Sequence, residues 1–306
     1  MAQDFTTTAL LASVKRRGMF PSSDQTLTTT DYLAFGTEEL QTYVMNLLLS
    51  ANEDYATTTA DTTIVSGTNS YSLPARASNE SLRNVLYLEA GSYVPLVRTN
   101  PQDVPGTTDT GTPNSYYFFD DTIVLVPTPS AAGTLRLQYF RRPSALVATS
   151  AVATVSSING ARTVVTTTAT IPATITNTVT VDVVSHTPGF RILTMDAALT
   201  GTVSGTTITF SSALPASVVA GNYVCLAGES CVPQIPVEAH PLLAQRIVVR
   251  ALEAFGDKKV DAAEKTCERM SKSLLARLLP RTTGSIRYVV NANGPGVPGR
   301  GRRGWR

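Results

Sequence analysis

Charge is what this sequence has least of. Of 306 residues, only 16% are Asp, Glu, Lys or Arg, against ~25% in ordinary globular chains. Hydrophobic residues at 42% do not fill the gap; Thr, Ser, Ala and Val do. That composition favours a β-rich chain with a weakly charged surface, still apolar enough to bury a core and escape disorder. There are two histidines, one tryptophan and three cysteines. Cys225, Cys231 and Cys267 are odd in number and show no C-x-x-C spacing, which argues against a disulfide framework and against a zinc site. Cys267 falls on the apolar spacing of a predicted helix, where a thiol acts as a small hydrophobe. No charged n-region and apolar h-region open the sequence, and no apolar run approaches ~18 residues. The expectation is a protein made and kept in a reducing cytoplasm until it is assembled, without a membrane.

Catalytic signatures are equally scarce. His186 and His240 each sit beside a Pro-containing turn, without a Cys or carboxylate at ligand spacing. GTVSG is a turn and no GxSxG elbow occurs. Two GxGxxG matches, Gly294–Gly299 and Gly299–Gly304, lie at the C-terminus with no strand before them and no helix to follow, so neither is a dinucleotide fingerprint. The acid pairs Glu38-Glu39 and Asp120-Asp121 read as solvated neighbours. No enzyme, metal or cofactor is expected.

The charge that is present is unevenly spread. From Arg246 onward there are 14 Lys/Arg and 5 Asp/Glu, whereas residues 145–232 carry just Arg162, Asp182, Arg191, Asp196 and Glu229. A basic end implies an anionic partner, or a solvated helix face with a basic tail.

Length admits about two domains. Thr6–Gly18 reads as a helix closed by Lys15, Arg16, Arg17 and a C-cap Gly18. Residues 31–53 read as a second helix, with Leu40, Tyr43, Val44, Leu47 and Leu48 on one face. From 57 to 147 short β-branched and aromatic runs bounded by Gly, Pro, Asn or Asp read as antiparallel strands. Within them, DTIVLVP and TLRLQYF read as a hairpin with a long loop, Ile123 and Leu125 facing Leu135, Leu137 and Tyr139. Residues 148–232, dense in Thr and Val with turns every ten to twenty residues, read as a small sandwich or barrel. Exposed edges on so uncharged a unit would be an aggregation liability, which suggests cover in an assembly. Residues 241–256 and 261–279 read as an antiparallel helix pair, and 291–306 as a basic Gly/Pro/Arg tail, disordered on its own. The fold class is α+β. A helical bundle core drawn from both chain ends (1–56 and 233–290) carries an antiparallel β-region (57–147) and an inserted sandwich- or barrel-like domain (148–232).

The tail places Trp305 among Arg300, Arg302, Arg303 and Arg306. Either it is a soluble terminus, or it is an arm that orders on docking, the indole as anchor and the arginines on carboxylates or phosphates.

Four stretches carry a resemblance: VKRRGMFP (14–21), YSLP (71–74), DDTIVLVPTPSAAGTLRLQYFRRPSAL (120–146) and IPVEAHPLLAQRIVVRALEAFGD (235–257). Together they resemble the head-to-tail adaptor, or connector, proteins of tailed bacteriophages over roughly 1–147 and 233–280, leaving 148–232 as a lineage-specific insert. The resemblance implies a structural virion protein, made in the bacterial cytoplasm and placed at the neck of the particle. It implies a ring of twelve subunits beneath the portal protein that extends the DNA channel and receives the next tail or nozzle protein. The tail would be the portal-binding arm, through Arg300, Arg302, Arg303, Trp305 and Arg306. Lys15, Arg16, Arg17, Lys258 and Lys259 would line a basic surface touching DNA without sequence preference, or simply complement helix dipoles. A different class also fits the Thr/Val-rich zone: a surface adhesin or carbohydrate-binding module, with Tyr116-Tyr117-Phe118-Phe119 as an aromatic platform.

Overall fold

The computed structural model describes residues 4–21, 26–89, 91–104, 109–201 and 203–278. Five α-helices lie toward the two ends of this range: α1 (Thr7–Gly18), α2 (Thr29–Glu39), α3 (Met45–Ala51), α4 (His240–Phe255) and α5 (Val260–Leu278). Between them run ten strands of a first β-zone: β1 (Thr57–Ile64), β2 (Ser70–Ser72), β3 (Ala77–Glu89), β4 (Ser92–Pro95), β5 (Val97–Arg98), β6 (Thr110–Gly111), β7 (Ser115–Phe119), β8 (Thr122–Val126), β9 (Thr128–Pro129) and β10 (Gly133–Arg141). Eight more follow: β11 (Ala145–Leu146), β12 (Ala153–Ile158), β13 (Val164–Thr167), β14 (Thr180–Val184), β15 (Ile192–Ala198), β16 (Thr207–Thr209), β17 (Tyr223–Leu226) and β18 (Glu229–Ser230). The class is mixed α+β, with most of the regular backbone in strands.

Helices from both chain ends share one apolar core. Leu10 and Val14 of α1, Leu33 of α2 and Leu48 of α3 meet Leu243, Ile247 and Ala251 of α4 and Leu274 of α5. Helix α4 is the centre of this layer: Leu242, Leu243, Ala244, Ile247, Val248, Val249, Ala251 and Leu252 are all buried, so it is apolar on more than the single face its spacing suggests. Pro241 opens it, where a missing N–H costs nothing, and Gly256 closes it in the left-handed region at φ 64°.

Two local details depart from the sequence reading. The 31–53 stretch is not one α-helix: α2 starts at Thr29 under a Thr28/Asp31 capping box, and a π-helical turn, Leu40–Val44, separates it from α3. The wider turn keeps Leu40, Val44 and Leu48 all buried in the shared core. At the end of α1 the left-handed residue is Met19 (φ 53°), not Gly18. Gly18 answers a space requirement instead. A Cβ there would run into the ring of Phe20, whose N–H turns back to the Lys15 carbonyl at 3.0 Å.

The first β-zone is a two-sheet sandwich. One sheet has the order β1-β10-β3-β4, the other β2-β8-β7-β5. The expected β8–β10 hairpin does not form. Ile123 and Leu125 do face Leu135 and Leu137, but across the core between the sheets rather than along a ladder. An alternating apolar face records that something covers it, and two stacked sheets satisfy that as well as two paired strands. Nor are all pairings antiparallel: β5–β7, β6–β9 and β11–β18 are short parallel contacts.

The 148–232 zone closes on itself. Its strands follow the order β15-β14-β17-β12-β13-β16, each pair antiparallel. The outer strands are then joined by a Leu199–Phe210 bridge and by hydrogen bonds from Thr200 N to Thr209 O (2.9 Å) and Ser211 N to Ala198 O (3.0 Å). Val155, Val165, Val181, Val183, Ile208 and Val224 fill the interior. Closure removes the free edges that made the low charge look hazardous. The barrel leaves and rejoins the body at one place, because β11 and β18 lie side by side. Thr7 at the start of α1 clamps both arms: its N–H donates to Cys231 O at 2.7 Å and its hydroxyl to Val147 O at 2.8 Å.

Candidate functional site

Helices α1 and α4 run side by side in one direction. Phe5, just before α1, packs on His240 at the first residue of α4 (ring centroids 5.1 Å apart), and Phe20, just after α1, packs on Phe255 at its last residue (5.6 Å). Two helix C-termini therefore emerge at one end of the helical layer. The fold brings Lys15, Arg16 and Arg17 of α1 to the same end as Lys258 and Lys259, which sit in the turn after α4. Arg16, Arg17, Lys258 and Lys259 are exposed and Lys15 is half-buried. Among the described residues none of the five makes an ion pair. Arg17 turns toward α4, its guanidinium donating to Ser13 Oγ (3.3 Å) and Gln245 Oε1 (3.5 Å).

Part of this positive charge complements the partial negative charge of the two helix ends. The same end also shows apolar surface: Met19 is 85% and Phe255 37% exposed. The portal-arm residues Arg300, Arg302, Arg303, Trp305 and Arg306 lie outside the described residues.

Elsewhere the polar side chains hold structure. Glu39, read from the sequence as solvated, is fully buried, while its neighbour Glu38 is exposed. Arg246 donates to both Glu39 oxygens (2.7 and 3.1 Å), and Arg250 adds a bond from Nε at 2.5 Å. Burial would lower the Arg246 pKa, but the Glu39 carboxylate outweighs it and the net shift is upward. Arg246 also covers the Tyr43 ring at 4.3 Å, and Tyr43 reaches Ser271 on α5 at 2.8 Å. The sequence signal was available in principle: Glu39 sits one residue before Leu40 on the inward stripe, opposite two arginines spaced four apart on α4.

Asp182 is the corresponding buried anion of the barrel. It pairs with Arg76 of the sandwich and accepts from the backbone N–H of Asp196 (3.0 Å) and Gly228 (3.1 Å). Arg162 staples a barrel loop by donating to the carbonyls of Leu214 (2.8 Å) and Val218 (2.7 Å).

Groups that could do covalent chemistry are held quiet. Contact with Cys231, then burial, drives the Cys225 thiol well above its usual pKa, and burial pushes Cys267 up to about 11. Thiols so shifted stay protonated at neutral pH and are poor nucleophiles. His240 is enclosed by Phe5 and Phe190, and burial lowers its pKa to about 4. His186 Nδ1 bonds Asn222 Oδ1 at 2.8 Å. Among the described residues no group of three or more His, Cys, Asp and Glu could hold a metal ion, and no helix is long and apolar enough to cross a membrane. The Tyr116–Phe119 run does not make one platform. Strand geometry alternates its side chains, so Tyr116 is buried with Phe118 edge-on to it (5.7 Å), while Phe119 is 68% exposed.

The comparison with curated proteins gave no match. A family model described as SU10 adaptor protein matches residues 5–166. The matched span takes in α1 to α3, the whole sandwich and the barrel's first strand, and ends within β13. On that match, over more than half of its length, the chain belongs to the SU10 adaptor protein family, a family of structural phage adaptors.

Proposed function

We propose that this chain is a non-enzymatic head-to-tail adaptor whose copies, twelve in number, form a ring beneath the portal protein, extend the DNA channel and receive the next tail or nozzle protein. The helical layer and the sandwich form the ring body. The barrel, tethered at one point through β11 and β18, presents a docking surface away from it. Residues 291–306 clip the ring to the portal, with Trp305 as anchor and Arg300, Arg302, Arg303 and Arg306 on acidic groups. Lys15, Arg16, Arg17, Lys258 and Lys259 meet either DNA phosphates, without base readout because the genome must slide past, or an acidic portal face.

The observation that supports this reading best is the common end of α1 and α4, where five cations that make no ion pair among the described residues lie at the same end as exposed Met19 and Phe255. Beyond what the two helix dipoles account for, such a face suits a subunit placed against an anionic neighbour.

Deleting 294–306 tests the arm. The shortened protein should unfold at the temperature of the full chain yet fail to be retained by immobilised portal rings. Retention at full-length affinity would exclude the arm. A second variant, Arg16→Ser with Arg17→Ser, should weaken retention at low salt and leave high-salt retention unchanged, because only the electrostatic part is removed.

A further inference from the structure

Where the helical layer, the sandwich and the barrel meet there is an open cavity of about 520 Å³. Its wall includes Asn52, Asp54 and Tyr55 from the segment after α3, Arg141 from the end of β10, Arg191 from just before β15, and Gln234 from the strap leading to α4. Among the described residues Arg141 and Arg191 make no ion pair and the Gln234 amide nitrogen has no partner. Arg141 is half-buried, and among the described residues no carboxylate lies within ion-pair distance of it. Burial, and then the neighbouring Arg76, lower its pKa. The buried carboxylate nearest in charge, Asp182, is already taken by Arg76 and two backbone N–H groups. Arg191 likewise has no ion pair among the described residues. Gln234 is 5% exposed; its Oε1 accepts from Ser144 Oγ at 3.4 Å, while its Nε2 has no partner.

Among the described residues of the wall the one acid, Asp54, pairs with Arg83. Tyr55 stays protonated: burial raises its pKa to about 12 although Arg141 and Arg191 both pull it down. Tyr55, Arg141 and Arg191 all line this one cavity. A buried amide donor left unpaired is a costly feature, and two arginines that make no ion pair among the described residues line the same space.

We infer that this cavity binds an oxyanion, carboxylate or phosphate, through Arg141, Arg191 and Gln234, with the Tyr55 hydroxyl as a further donor. Guanidinium groups present paired N–H donors that match both oxyanions. The donors come from the sandwich, the barrel and the strap to α4, so occupancy ties the barrel to the body. The ligand is either a free ion or an acidic side chain of a neighbouring protein, and the two sources separate by chemistry: a side chain is a carboxylate. This inference does not depend on the adaptor reading.

The test is thermal unfolding of the full chain in sodium phosphate, sodium acetate or sodium chloride at one ionic strength. Phosphate or acetate should raise the unfolding temperature over chloride, progressively with concentration as binding to the native state requires. Response to acetate points to a carboxylate of a partner, response to phosphate alone to a phosphate ion. Arg191→Gln, at an exposed side chain, should keep the fold and require at least tenfold more anion for the same shift. Arg141→Met should abolish the shift, because it removes a guanidinium of the proposed site. Equal unfolding temperatures in all three salts, or an undiminished response in Arg191→Gln, would overturn the inference.

Discussion

Glu39 and Arg246 are joined at two points inside the helical core, Nε to Oε2 at 2.7 Å and an Nη2 donor to Oε1 at 3.1 Å, with the carboxylate entirely out of solvent. The pair links the N-terminal helices to α4 across more than two hundred residues of chain, and Arg250 shares the same carboxylate. Replacing Glu39 by Ala leaves the Arg246 guanidinium facing an apolar core without its carboxylate, and should cost about 3–5 kcal/mol. Glu38→Ala, which removes an exposed carboxylate 3.3 Å from Arg250, should cost under ~1 kcal/mol. Urea unfolding of the two variants measures both.

Arg76 and Asp182 make the equivalent link between sandwich and barrel. Asp182→Ala strands Arg76 and the N–H groups of Asp196 and Gly228 together, with an expected loss of about 3 kcal/mol or more. The exposed cross-strand pair Asp61–Arg136 (2.7 Å) is the contrast, expected to contribute under ~1 kcal/mol. Double-mutant cycles on the two pairs should give clearly unequal coupling energies; equal ones would remove Arg76–Asp182 as a joint.

Stability should fall on mild acidification through His240. Its pKa is lowered by burial to about 4, against the opposing influence of the Ile235 backbone and Glu238. A group whose folded pKa lies below its unfolded pKa of ~6.5 stabilises the fold fully above pH ~6.5. That contribution is lost as pH drops toward 4, by roughly 3 kcal/mol. His240→Leu cannot acquire the charge, so its urea midpoint should change less between pH 7 and pH 4.5 than that of the unaltered protein.

Met19 occupies the left-handed region with its side chain almost wholly in solvent. Met19→Gly relieves the backbone at little cost in burial and should stabilise the isolated chain by about 0.5–1 kcal/mol. If the end of α1 is a docking face, the same substitution should weaken capture by portal rings. A stability gain with a binding loss is an outcome that a purely structural role for Met19 would not produce.

What was legible in the sequence was local. The start of α4 at His240-Pro241, its stop at Gly256 and the apolar stripe of α5 follow from caps, breakers and the 3.6-residue period, which a short window contains. So do the β-branched runs of both β-zones. Glu39 was misjudged because an acid beside an acid is usually solvated, and only the arrival of α4 supplies two arginines. Gly18 was misassigned because the reason for it, the Phe20 ring, depends on how the chain turns back.

The sequence by itself therefore determined which segments are helix or strand, where most of them end, and that the charge would gather toward one end of the chain. Tertiary structure alone decided the partners: that β8 and β10 face each other across a sandwich, that the Thr/Val-rich strands close into a barrel, and that Arg141, Arg191 and Gln234 surround one cavity. The physical reason is range. Backbone conformation responds to neighbours a few residues away, whereas an apolar face or an unpaired charge specifies only the kind of partner it needs, and distant parts of the chain compete to provide it.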